Sequence, residues 1–148
     1  MAKLNIPHDA FVFVGDGRKA LFLRNEGDEK FLNLKTERVL IDQNPPTREQ
    51  GSDQPGRTFQ SVGSRRSAME DADWHVLEEQ RFAHDVAGAL LRIVRERKVK
   101  ELVVVAPPRT LAELRRAFHS EVKSRIVAEI DKDFTKQPIY EIEKHLTE

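Results

Sequence analysis

The chain has 148 residues, its 25 lysines and arginines balance its 25 aspartates and glutamates, and it has no cysteine. This balance excludes a whole-molecule field that would attract nucleic acid or anionic lipid, so contact with a polyanion would have to come from a local patch. The lack of cysteine excludes disulfides, a thiol nucleophile and thiolate metal sites. The sequence has no apolar run of membrane-spanning length and no secretory signal pattern, so we expect a cytoplasmic protein that does not bind membranes.

The first 41 residues predict a three-stranded antiparallel meander. Apolar runs at residues 10–14 and 20–23 flank Gly15-Asp16-Gly17-Arg18, and Asp-Gly is typical of a tight hairpin turn with positive φ angles. A second turn signal at residues 25–28 leads into a third strand over about residues 30–41.

Residues 43–66 predict a long flexible loop, because proline, glycine and polar residues dominate them. Loops longer than about 15 residues are uncommon inside compact domains and are usually functional or disordered. Two interpretations therefore stay open, a docking loop and a solvated excursion without a role. The charges of the segment have a small positive excess, with Arg48, Arg57, Arg65 and Arg66 against Glu49 and Asp53.

A long helix is predicted after this loop. A capping-box pattern from Ser67 to Glu70 marks its start, Asp71 and Asp73 offer a second possible start, and the helix runs towards Lys98. We expect His84, beside the apolar stripe, to be a hydrogen-bonded structural histidine rather than a metal ligand. The stripe itself recurs at three- and four-residue spacing and consists of Val76, Ala83, Val86, Ala87, Leu90 and Val94.

The last third predicts alternating strands and helices. Residues 101–106 are nearly all apolar, as expected of a central strand covered on both faces. A second capping box at Thr110 opens a short helix that ends near Phe118, residues 125–130 form a fifth strand, and an amphipathic helix follows Pro138.

The predicted order is therefore β-β-β-α-β-α-β-α in one α/β domain over residues 1–148. Helical crossovers make the later strands parallel, so we expect a mixed five-stranded sheet with helices on its faces. This order also suits a ribonuclease H-like architecture.

The sequence shows no assembled catalytic or metal-binding motif. The run from Gly15 to Ala20 matches a dinucleotide fingerprint in letters, but a strand follows it instead of the helix that would hold the pyrophosphate. The five histidines form no HExxH pair. A two-metal nuclease would need a carboxylate in the first strand, and residues 10–14 contain none. We therefore predict no cofactor and no metal.

One anion site is predicted at Arg109 and Thr110. Both residues lie where a buried strand ends and a capped helix begins, and ligands of open α/β sheets favour such crevices. Phosphate, carboxylate or an RNA backbone would suit this place. The alternative is an arginine that merely solvates a loop.

Five segments together carry a family resemblance over nearly the whole chain. They are Gln54–Arg57, Glu79–Ala83, Val104–Pro108, Thr110–Arg115 and Glu129–Thr135. In their order and spacing they resemble the bacterial host attachment protein family, which is similar to the middle domain of archaeo-eukaryotic peptide-chain release factors. The resemblance implies a ribonuclease H-like fold.

In those release factors a Gly-Gly-Gln loop between the third strand and the first helix promotes peptidyl-tRNA hydrolysis. Gln54 is the matching glutamine here, but Gly51-Ser52-Asp53 precedes it instead of two glycines. The backbone freedom that the motif supplies is therefore missing. Gln54 would be catalytic only if the chain acts as those release factors do.

The residues favour a non-enzymatic cytoplasmic binding module, and the resemblance implies a role in attachment to host cells that we expect to be indirect. Its expected partner is the ribosome or another structured RNA, or else a regulatory protein. The alternative is a peptidyl-tRNA hydrolase or a ribonuclease H-like nuclease. The predicted binding residues are Arg57, Arg65, Arg66, Arg109 and Thr110.

Overall fold

The computed structural model describes residues 5–42 and 60–147, with the backbone alone for residues 60–75. Its described part contains five strands and four helices in one α/β arrangement. In chain order they are β1 (Phe11–Gly15), β2 (Lys19–Asn25), β3 (Leu34–Ile41), α1 (Gln60–Glu96), β4 (Leu102–Val105), α2 (Pro108–Ala117), α3 (Ser120–Lys123), β5 (Ile126–Ile130) and α4 (Ile139–Thr147).

The five strands form one mixed sheet in the order β3-β2-β1-β4-β5. β1 pairs antiparallel with β2, and β2 pairs antiparallel with β3, which confirms the predicted meander. β4 pairs parallel with both β1 and β5, as the helical crossovers required. The predicted mixed α/β fold is confirmed, and the one-turn helix α3 is the element that the sequence did not indicate.

Apolar side chains cover both faces of the sheet. On one face α1, α2 and α3 pack on the strands, and the rings of Phe13 and Phe22 lie 5.5 Å apart at the centre. On the other face α4 buries Ile142 and Leu146 against the strands. Because side chains alternate along a strand, β1 and β4 are buried at every position only when both faces are covered.

Helix α1 begins earlier than predicted. It starts at Gln60 and not at Ser67, so Arg65 and Arg66 belong to a helix and not to the predicted loop. The rest of that loop, residues 43–59, lies outside the described residues. A capping-box pattern is a local preference, and helix propagation past it adds one hydrogen bond for each residue fixed.

Two further expectations about α1 were wrong. Val76 is 36% exposed instead of belonging to the buried stripe, which begins at Phe82. His84 is exposed at the surface, so it is not a structural histidine of the core.

The hairpin between β1 and β2 is confirmed, but its turn differs from the one predicted. None of Asp16, Gly17 and Arg18 has φ in the left-handed region. Instead the Asp16 carboxylate accepts hydrogen bonds from the backbone N–H groups of Arg18 at 2.8 Å and Lys19 at 2.7 Å. The side chain thus closes the turn together with the backbone hydrogen bond from Asp16 N to Lys19 O at 2.8 Å, without the primed geometry that the sequence predicted.

Strand β3 begins at Leu34, later than predicted, because Asn25 organises the chain before it. The fully buried Asn25 side chain donates to Ile6 O at 2.9 Å and accepts from Gly27 N at 2.9 Å and Asn33 N at 3.0 Å. These bonds hold residues 26–33 in a turn and fasten the segment before β1 to it.

A β-bulge interrupts β3 at Glu37, where the pairing with β2 shifts between Phe22 and Leu23. The Glu37 carboxylate lies 2.7 Å from Arg97 Nη2 and 3.4 Å from Arg24 Nε. The bulge and its two ion pairs occupy the first half of this edge strand.

Candidate functional site

The carboxyl ends of β1, β4 and β5 meet at one edge of the sheet, because these strands are parallel. The segments that leave this edge are the Asp16 turn, the start of α2 and the residues that follow β5. Ligands of open α/β sheets bind at such edges, so the predicted anion site is placed where the fold allows one. We call this region the carboxyl edge.

A buried threonine ties two of these segments together. Thr135 is 4% exposed, and its Oγ1 lies 2.6 Å from Asp133 Oδ1 and 3.0 Å from Asp16 Oδ2. A hydroxyl has one proton, so Thr135 donates chiefly to the nearer carboxylate, and the contact with Asp16 is the weaker one. The β1–β2 turn is thereby fastened to the chain after β5.

Arg109 lies at the carboxyl edge as predicted, but it already has a partner. Its Nη2 is 3.2 Å from Glu79 Oε1, and the arginine side chain is 68% exposed. Glu79 also packs on the hairpin, since a Cβ placed on Gly17 would lie 2.9 Å from its Oε2. The Glu79 carboxylate therefore bridges the turn and α2, and an incoming anion would compete with it for Arg109.

The space beside Arg109 and Thr110 is small. The cavity that both residues line has a volume of about 10 Å³, which is roughly the room for one water molecule. A phosphate bound to Arg109 would consequently lie on the surface of the protein and not inside a pocket.

Thr110 does not cap α2, and that prediction was wrong. The helix begins at Pro108 with Pro107 as its N-cap, and no side chain bonds to the N-terminal N–H groups. Proline at the first helical position has its φ angle already set for a helix, so α2 starts two residues before the threonine. Glu113, the predicted partner of Thr110 in the capping box, forms an ion pair with Arg116 instead, at 2.8 Å.

The structure brings two of the predicted site residues together, Arg109 and Thr110. Gln54 and Arg57 lie outside the described residues, and Arg65 and Arg66 lie in the part of α1 described by backbone alone. Sequence reasoning gave no role to Glu79 or Thr135. Both belong to the segments that carried the family resemblance, which was the signal available for them.

A larger groove lies between β3 and α1, with a volume of about 460 Å³. Residues 38–42 of the strand and its end form one wall. The facing wall is a flank of α1 that includes His84, Gly88 and Arg92. We call this region the β3–α1 groove.

A second cavity of about 450 Å³ opens at the opposite edge of the sheet. Asp9 and Lys98 line it, and their φ angles of 69° and 52° lie in the left-handed region. At Lys98 this geometry ends α1, because Val99 N bonds to Val94 O at 3.1 Å in the pattern of a helix C-cap.

The described residues hold no group of three or more histidine or acidic side chains placed to bind a metal ion. Within the same part of the chain, no helix is long and apolar enough to cross a membrane.

Comparison with known proteins gives one family. Nothing among curated proteins matches the chain at a significant level. The sequence profile of bacterial archaeo-eukaryotic release factor family 12 matches residues 9–146, which includes all five strands and the whole carboxyl edge. A match over nearly the full length identifies the family, and the chain belongs to family 12 of the bacterial archaeo-eukaryotic release factors.

Proposed function

We propose that this protein is a translation-associated binding module that contacts the ribosome or another structured RNA. The match to a release-factor family over residues 9–146 carries this proposal. Any requirement of the protein for attachment to host cells is then indirect and follows from a cytoplasmic action on RNA, ribosomes or a regulatory protein.

The chemistry of the carboxyl edge supports binding over hydrolysis. Polar groups at this edge serve as ties between segments: Thr135 joins Asp16 to Asp133, and Glu79 joins Gly17 to Arg109. A nucleophile or general base would need access to substrate, and the buried hydroxyl of Thr135 is already engaged by two carboxylates.

Arginines supply the expected phosphate contacts. Arg57, Arg65 and Arg66 lie close together in the sequence between β3 and the middle of α1, and guanidinium groups bind phosphates in bidentate geometry. Arg109 adds a fourth contact once an RNA phosphate replaces Glu79 as its partner. Because each phosphate contact releases condensed counterions, affinity should fall steeply with salt concentration.

The deciding experiment is sedimentation of cell lysate through a sucrose gradient, with and without ribonuclease. The protein should travel with ribosomal particles and return to the top of the gradient after ribonuclease treatment. A position at the top in both gradients would contradict the proposal.

A charge-matched pair of variants then locates the surface. Replacing Arg57, Arg65 and Arg66 together by alanine should remove the ribosome-bound fraction. The control replaces Lys100, Lys123 and Arg125, three exposed cations before β4 and β5 at the opposite edge of the sheet. Equal loss in both variants would show a response to net charge and not to a defined surface.

Membership of a release-factor family also supports a second candidate function, that of a peptidyl-tRNA hydrolase that uses Gln54. Its test is release of the peptide from a stalled ribosomal complex by the wild-type protein and by Gln54→Ala. Release that depends on Gln54 would favour this candidate over the binding module. Nuclease action would instead appear as cleavage of RNA that stops when divalent metal is removed.

A further inference from the structure

We infer that the β3–α1 groove binds an extended segment of a partner protein, which adds to the sheet as a new strand beside β3. This inference goes beyond the proposed function, because its ligand is a peptide and its site is not the carboxyl edge. Strand addition of this kind derives its affinity from main-chain hydrogen bonds and its specificity from the pockets beside them.

The backbone of β3 is oriented for such a partner. Among the described strands, β3 is the last one on its side of the sheet. Asp42 N donates to Arg18 O at 2.8 Å, so Asp42 points towards β2. Because hydrogen-bonding directions alternate along a strand, Leu40 also points to β2, while Val39 and Ile41 direct their N–H and C=O groups outwards.

Within the described residues, the second half of β3 has little of the usual protection of an edge strand, with Arg38 as its one charged side chain. Natural edges are blunted by bulges, charged side chains or proline, which prevent pairing with other chains. The Glu37 bulge protects the first half in this way. Beyond it the exposed side chains include two β-branched apolar residues, Val39 at 43% and Ile41 at 57% exposure.

Helix α1 leaves room for the incoming segment. A Cβ built on Gly88 would meet no atom of the described residues within 4 Å, so packing within that part of the chain does not require glycine there. Apart from proline, glycine is the least favourable residue inside a helix. A residue that is unfavourable for the helix and faces a groove of about 460 Å³ is suited to close approach by another backbone.

The charges of the groove favour a peptide over RNA. Its described lining balances three arginines against three carboxylates, so a polyanion meets no net attraction there. In the described part of the chain, Arg38 and Arg92 have no carboxylate within ion-pair distance, whereas Arg81 is paired to Glu78 at 2.9 Å. One acidic side chain on the bound segment would satisfy either unpaired arginine. The charged lining residues are Arg38, Arg81, Arg92, Asp42, Glu78 and Asp85.

The probe is a displayed library of random peptides of eight residues, the length of β3. Peptides selected on the wild-type protein, with counter-selection on Gly88→Leu, should carry an acidic residue within an extended β-branched pattern. Their affinity, measured by fluorescence anisotropy, should fall at least about tenfold on Gly88→Leu, which fills the groove, and on Val39→Pro, which removes an outward N–H.

Two controls separate binding from folding. Val39→Thr keeps the N–H and the side-chain shape and should retain the affinity of the wild-type protein. Gly88→Leu should melt no earlier than the wild-type protein, since leucine is the better helix former. N-methylation along a selected peptide should weaken binding at every second position, because alternate N–H groups face β3.

Three results would overturn the inference. The first is that no peptide is enriched over the Gly88→Leu counter-selection, or that the selected peptides bind Val39→Pro as tightly as the wild-type protein. The second is that a hairpin RNA binds the wild-type protein and binds Gly88→Leu more weakly, which would assign the groove to RNA. The third is a dimer in sedimentation equilibrium that Val39→Pro dissociates, which would make a second copy the occupant. Ribosome binding should be unchanged in Gly88→Leu, so the proposed function is tested separately.

Discussion

Replacing Asn25 with alanine should destabilise the protein more than most single substitutions do. The side chain is fully buried, and three of its hydrogen bonds, to Ile6 O, Gly27 N and Asn33 N, measure 3.0 Å or less. At about 1 kcal/mol for each bond they contribute about 3 kcal/mol. Leaving buried N–H and C=O groups unpaired raises the expected loss to about 3–5 kcal/mol.

This loss is large against the total stability of about 5–15 kcal/mol that is typical of a domain. Urea denaturation followed by far-ultraviolet circular dichroism measures it directly. The matched control is Asn33→Ala, which removes the same amide from an exposed side chain and should change the free energy of unfolding by no more than about 0.5 kcal/mol. If Asn25→Ala cost less than about 1 kcal/mol, the turn before β3 would have to be held by something other than this side chain.

Four other substitutions test local features. Lys98→Gly should raise the free energy of unfolding by about 0.5–1 kcal/mol in urea denaturation, because Lys98 has φ of 52° at the end of α1, and Lys98→Ala should give no such gain. Gly88→Ala should also stabilise, by about 0.5–1 kcal/mol, whereas Gly27→Ala should lower the melting temperature, because its Cβ would collide with the Phe31 carbonyl oxygen. Hydrogen bonds from Arg95 hold the pKa of Glu121 below its ordinary value of 4.5. The ionised carboxylate therefore stabilises the fold above pH 4.5, and this stabilisation is lost as the pH falls through the lowered pKa. The difference in melting temperature between wild type and Glu121→Gln should shrink accordingly on acidification, and a constant difference would contradict this.

The strands were predictable because their signals are local. The short apolar runs of β1, β2 and β4 mark them as strands, and the lengths of the crossovers determine which pairs are parallel. The Asp16–Gly17 hairpin was predicted for a partly wrong reason, since the Asp16 carboxylate helps to close the turn and no residue from Asp16 to Arg18 has φ in the left-handed region. The same residues are compatible with a primed backbone turn and with a turn held by side-chain hydrogen bonds, so the sequence pattern did not distinguish the two geometries.

Helix starts and the contacts of the site were less predictable. The capping-box patterns at Ser67 and Thr110 both lie inside helices that begin earlier, at Gln60 and Pro108. Such patterns give a local preference of about 1 kcal/mol, which propagation or an N-terminal proline can outweigh. The pairing of Arg109 with Glu79 joins segments that lie far apart in the sequence, and periodicity carries no information about such pairs.

The contact between Thr135 and Asp16 also constrains the timing of folding. The two residues are separated by 119 positions along the chain. At about 5–20 residues per second, a ribosome needs at least about 6 s to add the threonine after the aspartate. During synthesis the first hairpin can form, but the edge that it shares with β5 stays incomplete. A binding surface at this edge is therefore complete only after β5 and Thr135 have been synthesised.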